Sequence, residues 1–262
     1  MNFYFKLEIL FVTREIFLDA VSLFQETIGN KSLLWATKGF DPETGGLFSA
    51  VVESVLGKQT PYAVISGPTF AEELAEGKPA AITLAANNID DPGALAKKMS
   101  NKSLRVYLSD DPAGVQLGGG LKNIVAIAAG VSDALQMGAN ARAALVTRGL
   151  SEIKLLGKKL GGNEKTFMGL SGMGDLMLSC TDDQSRNRLF GLSIGKGLSF
   201  KEAAALQNGL PEGVHAIKTL VEKNIVTDKE PIMFAVYQVL YGGLDVSKVA
   251  EELMLRPIKG EL

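Results

Sequence analysis

The sequence predicts an α/β N-terminal part, an incomplete Rossmann-like parallel sheet, followed by an all-α domain. Two observations predict it. Up to about residue 110, short apolar runs alternate with segments of helical periodicity, and such runs suit strands buried on both faces by helices. Beyond Asp111 the apolar residues keep helical spacing and no strand pattern returns.

The first strand is placed at residues 9–12 (ILFV), after an apolar but charge-interrupted start that lacks a signal-peptide layout. Phe17, Val21, Phe24 and Ile28 mark a helix over 17–28. SLLWAT at 32–37 reads as the second strand. Leu47, Val51 and Val55 mark a second helix, closed by Gly57. Strands follow at 61–66, 80–86 and 104–109, with helical stretches between them. The second half predicts helices at about 113–135, 140–159, 185–196, 200–207, 212–223, 231–241 and 246–254. Asn140, Ser199 and Asp245 are expected N-caps, and Gly161–Gly162 a break. The boundary falls near residue 110, giving domains 1–110 and 111–262 with a ligand cleft between them.

The 262 residues carry 27 basic and 29 acidic side chains in a mixed pattern, which argues against a nucleic-acid or membrane surface. No uninterrupted apolar run is long enough for a membrane span. With one cysteine, Cys180, an intrachain disulfide is excluded and a reducing cytoplasm fits. One His and one Cys supply none of the usual zinc sets, so no metal is expected. His215 reads as structural.

Lys122 is the only charged residue between Asp111 and Asp133. One reading is a helix lysine that snorkels to the surface. The other is a lysine at a cleft wall, where Gly118, Gly119 and Gly120 let a second backbone or a ligand come close. Partial burial would lower its pKa and make it a general base.

Lys38 and Gly39 close a strand, where ligands of open α/β sheets sit. Ser66, Gly67 and Thr69 leave the next strand and suit a phosphate or carboxylate. Asp175 lies in a glycine-rich run. Ser185, Arg186, Asn187 and Arg188 then combine hydroxyl, amide and guanidinium, good chemistry for a phosphate ester. Each also has an ordinary structural reading.

In order, WATKG, SGPTFAEE, GVQLGGGLKN, GANARAALVTRGLSE, GLSGMGDL, SRNR and YQVLYGG resemble the bacterial type of NAD(P)-dependent glycerol-3-phosphate dehydrogenase, from about residue 31 to the end. The resemblance implies interconversion of sn-glycerol 3-phosphate and dihydroxyacetone phosphate with NAD or NADP, for glycerophospholipid synthesis, by a cytoplasmic homodimer. It implies that Lys122 is the proton acceptor. Substrate would be held by Lys38, Gly67, Thr69, Lys122, Asp175, Ser185, Arg186 and Asn187. Cofactor would meet Lys38, Ala71, Arg186 and the Leu210-Pro211-Glu212 stretch, through Leu210 and Glu212, where the family has Val-x-Glu.

The family also opens on a strand and a G-x-G-x-W-G turn, and this chain has no such unit near its start. Thr13-Arg14 stands where the family has Pro-Ser. The expectation is a weakened hold on the pyrophosphate and an uncovered sheet edge. The alternative role is a cofactor-impaired paralogue that serves as a non-catalytic binding protein. A 3-hydroxyacid dehydrogenase of related architecture fits SRNR and WATKG less well.

Overall fold

The computed structural model describes residues 7–10, 12–29, 31–207 and 209–256. Strands β1 (Leu7–Leu10), β2 (Ser32–Trp35), β3 (Tyr62–Ser66), β4 (Ala80–Asn87) and β5 (Leu104–Ser109) form one sheet in chain order. Leu10 pairs with Trp35, Trp35 with Val64, Val64 with Ala85 and Ala85 with Ser109.

Three of these pairings are parallel, but β3–β4 is antiparallel. That corrects the all-parallel expectation. The link from Gly67 to Pro79 carries only a five-residue helix, α3 (Ala71–Ala75). A parallel return needs a crossover of about a dozen residues or more, usually a full helix lying along the sheet. The sheet ends on β5, which buries Val106 and leaves Tyr107 and Leu108 half exposed, so this strand is not covered on both faces as expected.

The two sheet faces carry separate cores. On one, α1 (Phe17–Ser22) and α2 (Phe48–Leu56) pack Phe17 and Phe48 against Leu33, Trp35 and Val64. Phe17 sits 4.4 Å from Phe48 and edge-on to Trp35 at 5.7 Å, measured between ring centroids. On the other face, α4 (Pro92–Met99) sets Leu95 and Ala96 on Leu34, Ile82 and Leu84. The first helix stops six residues earlier than its periodicity suggests. Residues 23–27 form turns, although Ile28 still buries. The first strand lies two residues earlier than expected, and Phe11 is outside the described residues.

The helical half is organised on α5 (Pro112–Ala134), where every residue from Gly114 to Ile127 is buried. Asp111 caps it, accepting from Gly114 N at 2.8 Å, and its other oxygen takes Asn163 N and Thr166 Oγ1. α6 (Gly138–Lys159) packs along α5. Asn140 lies inside α6 and does not cap it. The chain enters that helix through Gly138 at φ +89°, so the helix starts two residues early.

Next come α7 (Asp175–Thr181), α8 (Arg186–Gly195), α9 (Phe200–Leu206), α10 (Glu212–Glu222), α11 (Pro231–Leu240) and α12 (Val246–Met254). Ser199 and Asp245 cap their helices as expected, Ser199 in a reciprocal box with Glu202. Gly161, at φ +95°, ends α6. The periodicity missed α7, which is entered through a π-helical turn, Leu170–Gly174. Among the described residues, one helix, α5, is long and apolar enough to cross a membrane, yet 89% of that stretch is buried as the core of this domain.

Candidate active site

Three segments far apart in sequence meet at one buried carboxylate. Asp175, on the first turn of α7, is 1% exposed. Lys38 Nζ donates to its Oδ2 at 2.5 Å, and Lys122 Nζ lies 3.0 Å from its Oδ1. Lys122 also donates to Ser179 Oγ at 2.5 Å, and Lys38 to the Gly67 carbonyl at 3.2 Å. Lys122 is thus a buried group in a site, not a snorkelling lysine.

Local sequence explains the meeting. The loop after β2 drives Phe40 into the helical core, against Gly120, and this lays the Lys38 stem along Gly119. A methyl on Gly119 would come within 2.7 Å of Ser66 Oγ, and one on Gly118 within 2.6 Å of the Ser171 carbonyl. The three glycines therefore admit neighbouring backbone and side chains, which pin the β2 loop, β3 and the π-turn to α5. Asp175 and Ser179 are four residues apart, so α7 presents both to Lys122.

Two ammonium groups share one carboxylate, leaving the cluster one positive charge in excess. Burial drives the pKa of Lys122 down; the negative Asp175 opposes this and the neighbouring Lys38 ammonium adds to it. Burial works to raise the pKa of Asp175, but the two lysines outweigh it and hold it below the ordinary carboxylate value. Lys122, the more deeply buried lysine, is the one set to lose its proton. Burial also pushes the neighbouring Cys180 thiol up to about 12, so it is no nucleophile.

The other expected residues divide. Gly67 contributes its carbonyl, which also accepts from Thr69 Oγ1 at 3.3 Å. Ala71 is exposed at the start of α3. Asn187 is buried and ties three helices together: it donates to Asn123 Oδ1 at 3.0 Å and accepts from Gly213 N at 2.8 Å. Ser185 caps α8, accepting from Arg188 N. Arg186 is exposed and donates to the Gln207 carbonyl at 3.0 Å. Arg188 is paired with Asp133 at 2.7 Å and with Asp183. Leu210 packs on the helical core, and Pro211 directly precedes α10.

Glu212 faces the β2 loop, with Oε2 where a methyl on Gly39 would lie 3.1 Å away, and burial lifts its pKa to about 7. Ser66 Oγ is buried without a hydrogen-bond partner among the described residues, and Glu212 Oε2, likewise without a hydrogen bond, lies 3.7 Å from the buried Arg14 Nε as an ion pair. Both lie near the carboxyl ends of β2 and β3. The unpartnered Ser66 hydroxyl at the strand end is at the place where open α/β sheets hold the nicotinamide end of a dinucleotide. The periodicity missed Ser179. Its signal, a hydroxyl four residues after Asp175, is readable only once α7 is known to be a helix.

Comparison with known proteins agrees. Residues 7–91 match the family described as NAD-dependent glycerol-3-phosphate dehydrogenase N-terminus, and residues 111–251 match its C-terminus. A glycerol-3-phosphate dehydrogenase [NAD(P)+] of Haemophilus influenzae is 50% identical over 234 residues, 87% of this chain and 69% of the relative. That of Actinobacillus pleuropneumoniae serotype 3 is 44% identical over 256 residues, 95% of this chain and 75% of its own. The crystal structure of glycerol-3-phosphate dehydrogenase from Coxiella burnetii superposes with a TM-score of 0.88 at 40% identity, covering 95% of this chain and 76% of that one. The chain belongs to the NAD-dependent glycerol-3-phosphate dehydrogenase family.

Proposed function

We propose that this chain interconverts sn-glycerol 3-phosphate and dihydroxyacetone phosphate with NAD or NADP, with Lys122 as the proton-transfer group. The observation that carries the assignment is the pairing of two lysines on one buried carboxylate beside the strand ends. Neutral Lys122 takes the proton of the C2 hydroxyl, and in reverse the ammonium polarises the carbonyl and returns it. NAD or NADP, when bound, supplies the hydride acceptor or donor.

Asp175 orients both lysines. Lys38 adds positive charge for an anionic substrate. The ester phosphate would meet Arg186 at the start of α8, with Ser185 and Asn187 shaping that helix end. Gly67 and Thr69 would line the substrate side, and Lys38, Ala71, Arg186, Leu210 and Glu212 the cofactor side. We place the domain boundary at residues 110/111. The family resemblance also supports a cytoplasmic homodimer serving glycerophospholipid synthesis. The relatives lend no support to a non-catalytic binding role.

Oxidation of NADH and of NADPH, followed with dihydroxyacetone phosphate as substrate, tests the assignment. Turnover that requires this ketone phosphate supports it. Binding of the ketone phosphate without any turnover refutes it.

A further inference from the structure

Arg14, at the start of the turn after β1, is a nearly buried cation: its side chain is 7% exposed. An arginine is rarely buried unless it is paired. Here two carboxylates meet it. Nε lies 2.9 Å from Glu15 Oε1 and 3.7 Å from Glu212 Oε2, and makes no hydrogen bond among the described residues. Glu15 is half exposed, so water solvates it with or without Arg14. Glu212 is different, because it opens α10 and reaches Arg14 from the helical half.

The meeting place is fixed by packing. Thr37 Oγ1 donates to the Val12 carbonyl at 2.7 Å, which lays the loop after β1 on the loop after β2. A methyl on Gly39 would sit 3.1 Å from Glu212 Oε2 and 3.9 Å from Arg14 Cδ, so this glycine leaves the room in which the pair forms. Glu212 Oε2 faces Arg14 at ion-pair distance without a hydrogen bond, while the side chain as a whole is 32% exposed. The carboxylate is thus anchored by charge on one side and keeps acceptor capacity for a ligand on the other.

We propose that Arg14 is a positioning residue for the cofactor: it holds the Glu212 carboxylate at the ends of β1 and β2, where that carboxylate accepts a hydrogen bond from an N–H or O–H of bound NAD or NADP. This rests on the assignment of Glu212 to the cofactor side. The charged groups around Glu212 are Arg14, Glu15 and Arg186, and His215, one turn along α10, faces Glu15 at 3.9 Å. Burial lifts the Glu212 pKa to about 7; Arg14 and Arg186 work against that rise and Glu15 adds to it. The carboxylate is therefore lost as pH falls through about 7, and without Arg14 it is lost at a higher pH.

NADH fluorescence titrations of the full chain between pH 6 and 9 test this. Wild-type affinity is expected to fall on acidification through about pH 7. Arg14→Met, apolar and of similar length, is expected to weaken NADH at least about fivefold at pH 6.5, with affinity recovering towards pH 9. Arg14→Lys, which keeps the charge, is expected to restore most of the affinity. Glu212→Gln is expected to flatten the pH dependence, and adding Arg14→Met to it to change NADH affinity by less than about twofold. Wild-type binding that Arg14→Met leaves unchanged overturns this inference alone. Affinity that Arg14→Met lowers equally at every pH, and equally beside Glu212→Gln, makes Arg14 structural and overturns it too. Failure of the wild-type chain to bind NADH at any pH overturns the cofactor-side reading of Glu212 and this inference together.

Discussion

Removing Lys122 and removing its carboxylate partner should have opposite effects on stability, although both are expected to slow turnover. In Lys122→Met the Asp175 carboxylate keeps Lys38 at 2.5 Å, so the cluster goes from two cations and one anion to a matched pair. Replacing a buried charge by an apolar side chain of similar length, with no orphan left, is neutral or stabilising. In Asp175→Asn the two lysines face each other without a counter-charge. Breaking a buried pair in that way costs about 3–5 kcal/mol, which lowers Tm by about 6–20 °C in a chain of this size. Lys122 can relieve part of this by losing its proton, so the deficit should shrink as pH rises. Turnover should fall by about 10²–10⁴ in Lys122→Met, the share of a general base and about 2.7–5.5 kcal/mol of barrier. Thermal melts at pH 6 and 9, with ketone-phosphate-dependent NADH oxidation alongside, measure both quantities. A Lys122→Met protein that melts far below wild type while Asp175→Asn does not would refute the charge argument. Undiminished turnover in Lys122→Met would remove its catalytic role.

Three further outcomes are expected. Gly118→Ala puts a methyl 2.6 Å from the Ser171 carbonyl, and overpacking of about 1–3 kcal/mol outweighs the helix propensity gain of up to about 1 kcal/mol. Denaturant melts should show net destabilisation, and kcat should fall as the π-turn shifts Asp175. Ser179→Ala takes away the 2.5 Å partner of Lys122, so kcat should drop about tenfold with KM little changed, and Ser179→Thr should restore it. Burial raises the Glu152 pKa to about 7 from 4.5, so the folded protein holds a proton there that the unfolded chain releases. Stability from this group is present below about pH 4.5 and is lost as pH rises through about 7. Glu152→Gln should flatten that part of the melting profile, and an unchanged slope between pH 5 and 8 would contradict the shift.

Much of the site was legible before the fold. Lys122 stood out because an isolated charge in an apolar, glycine-rich helix needs a reason. Lys38 and Gly67 stood out because they follow strands. Ser179 did not, because its helix opens in a π-turn whose Leu-Ser-Gly-Met-Gly run breaks the periodicity. The Ser-Arg-Asn-Arg run was less legible, since a string of polar residues does not say which side faces in: Arg186 is exposed, whereas Arg188, two residues on, is buried against Asp133.

By itself the sequence determined the strands, most helices and the dry environment of Lys122, because these depend on periodicity over neighbouring residues. Only the tertiary structure decided what Lys122 meets. Lys38 and Asp175 are 137 residues apart, and local pattern cannot encode such a contact. The direction of β4 and the role of the three glycines were settled in the same way. The glycines looked like room for a ligand, but packing fills that room with the Ser171 backbone, the Ser66 hydroxyl and Phe40, which hold the two lysines on their shared carboxylate.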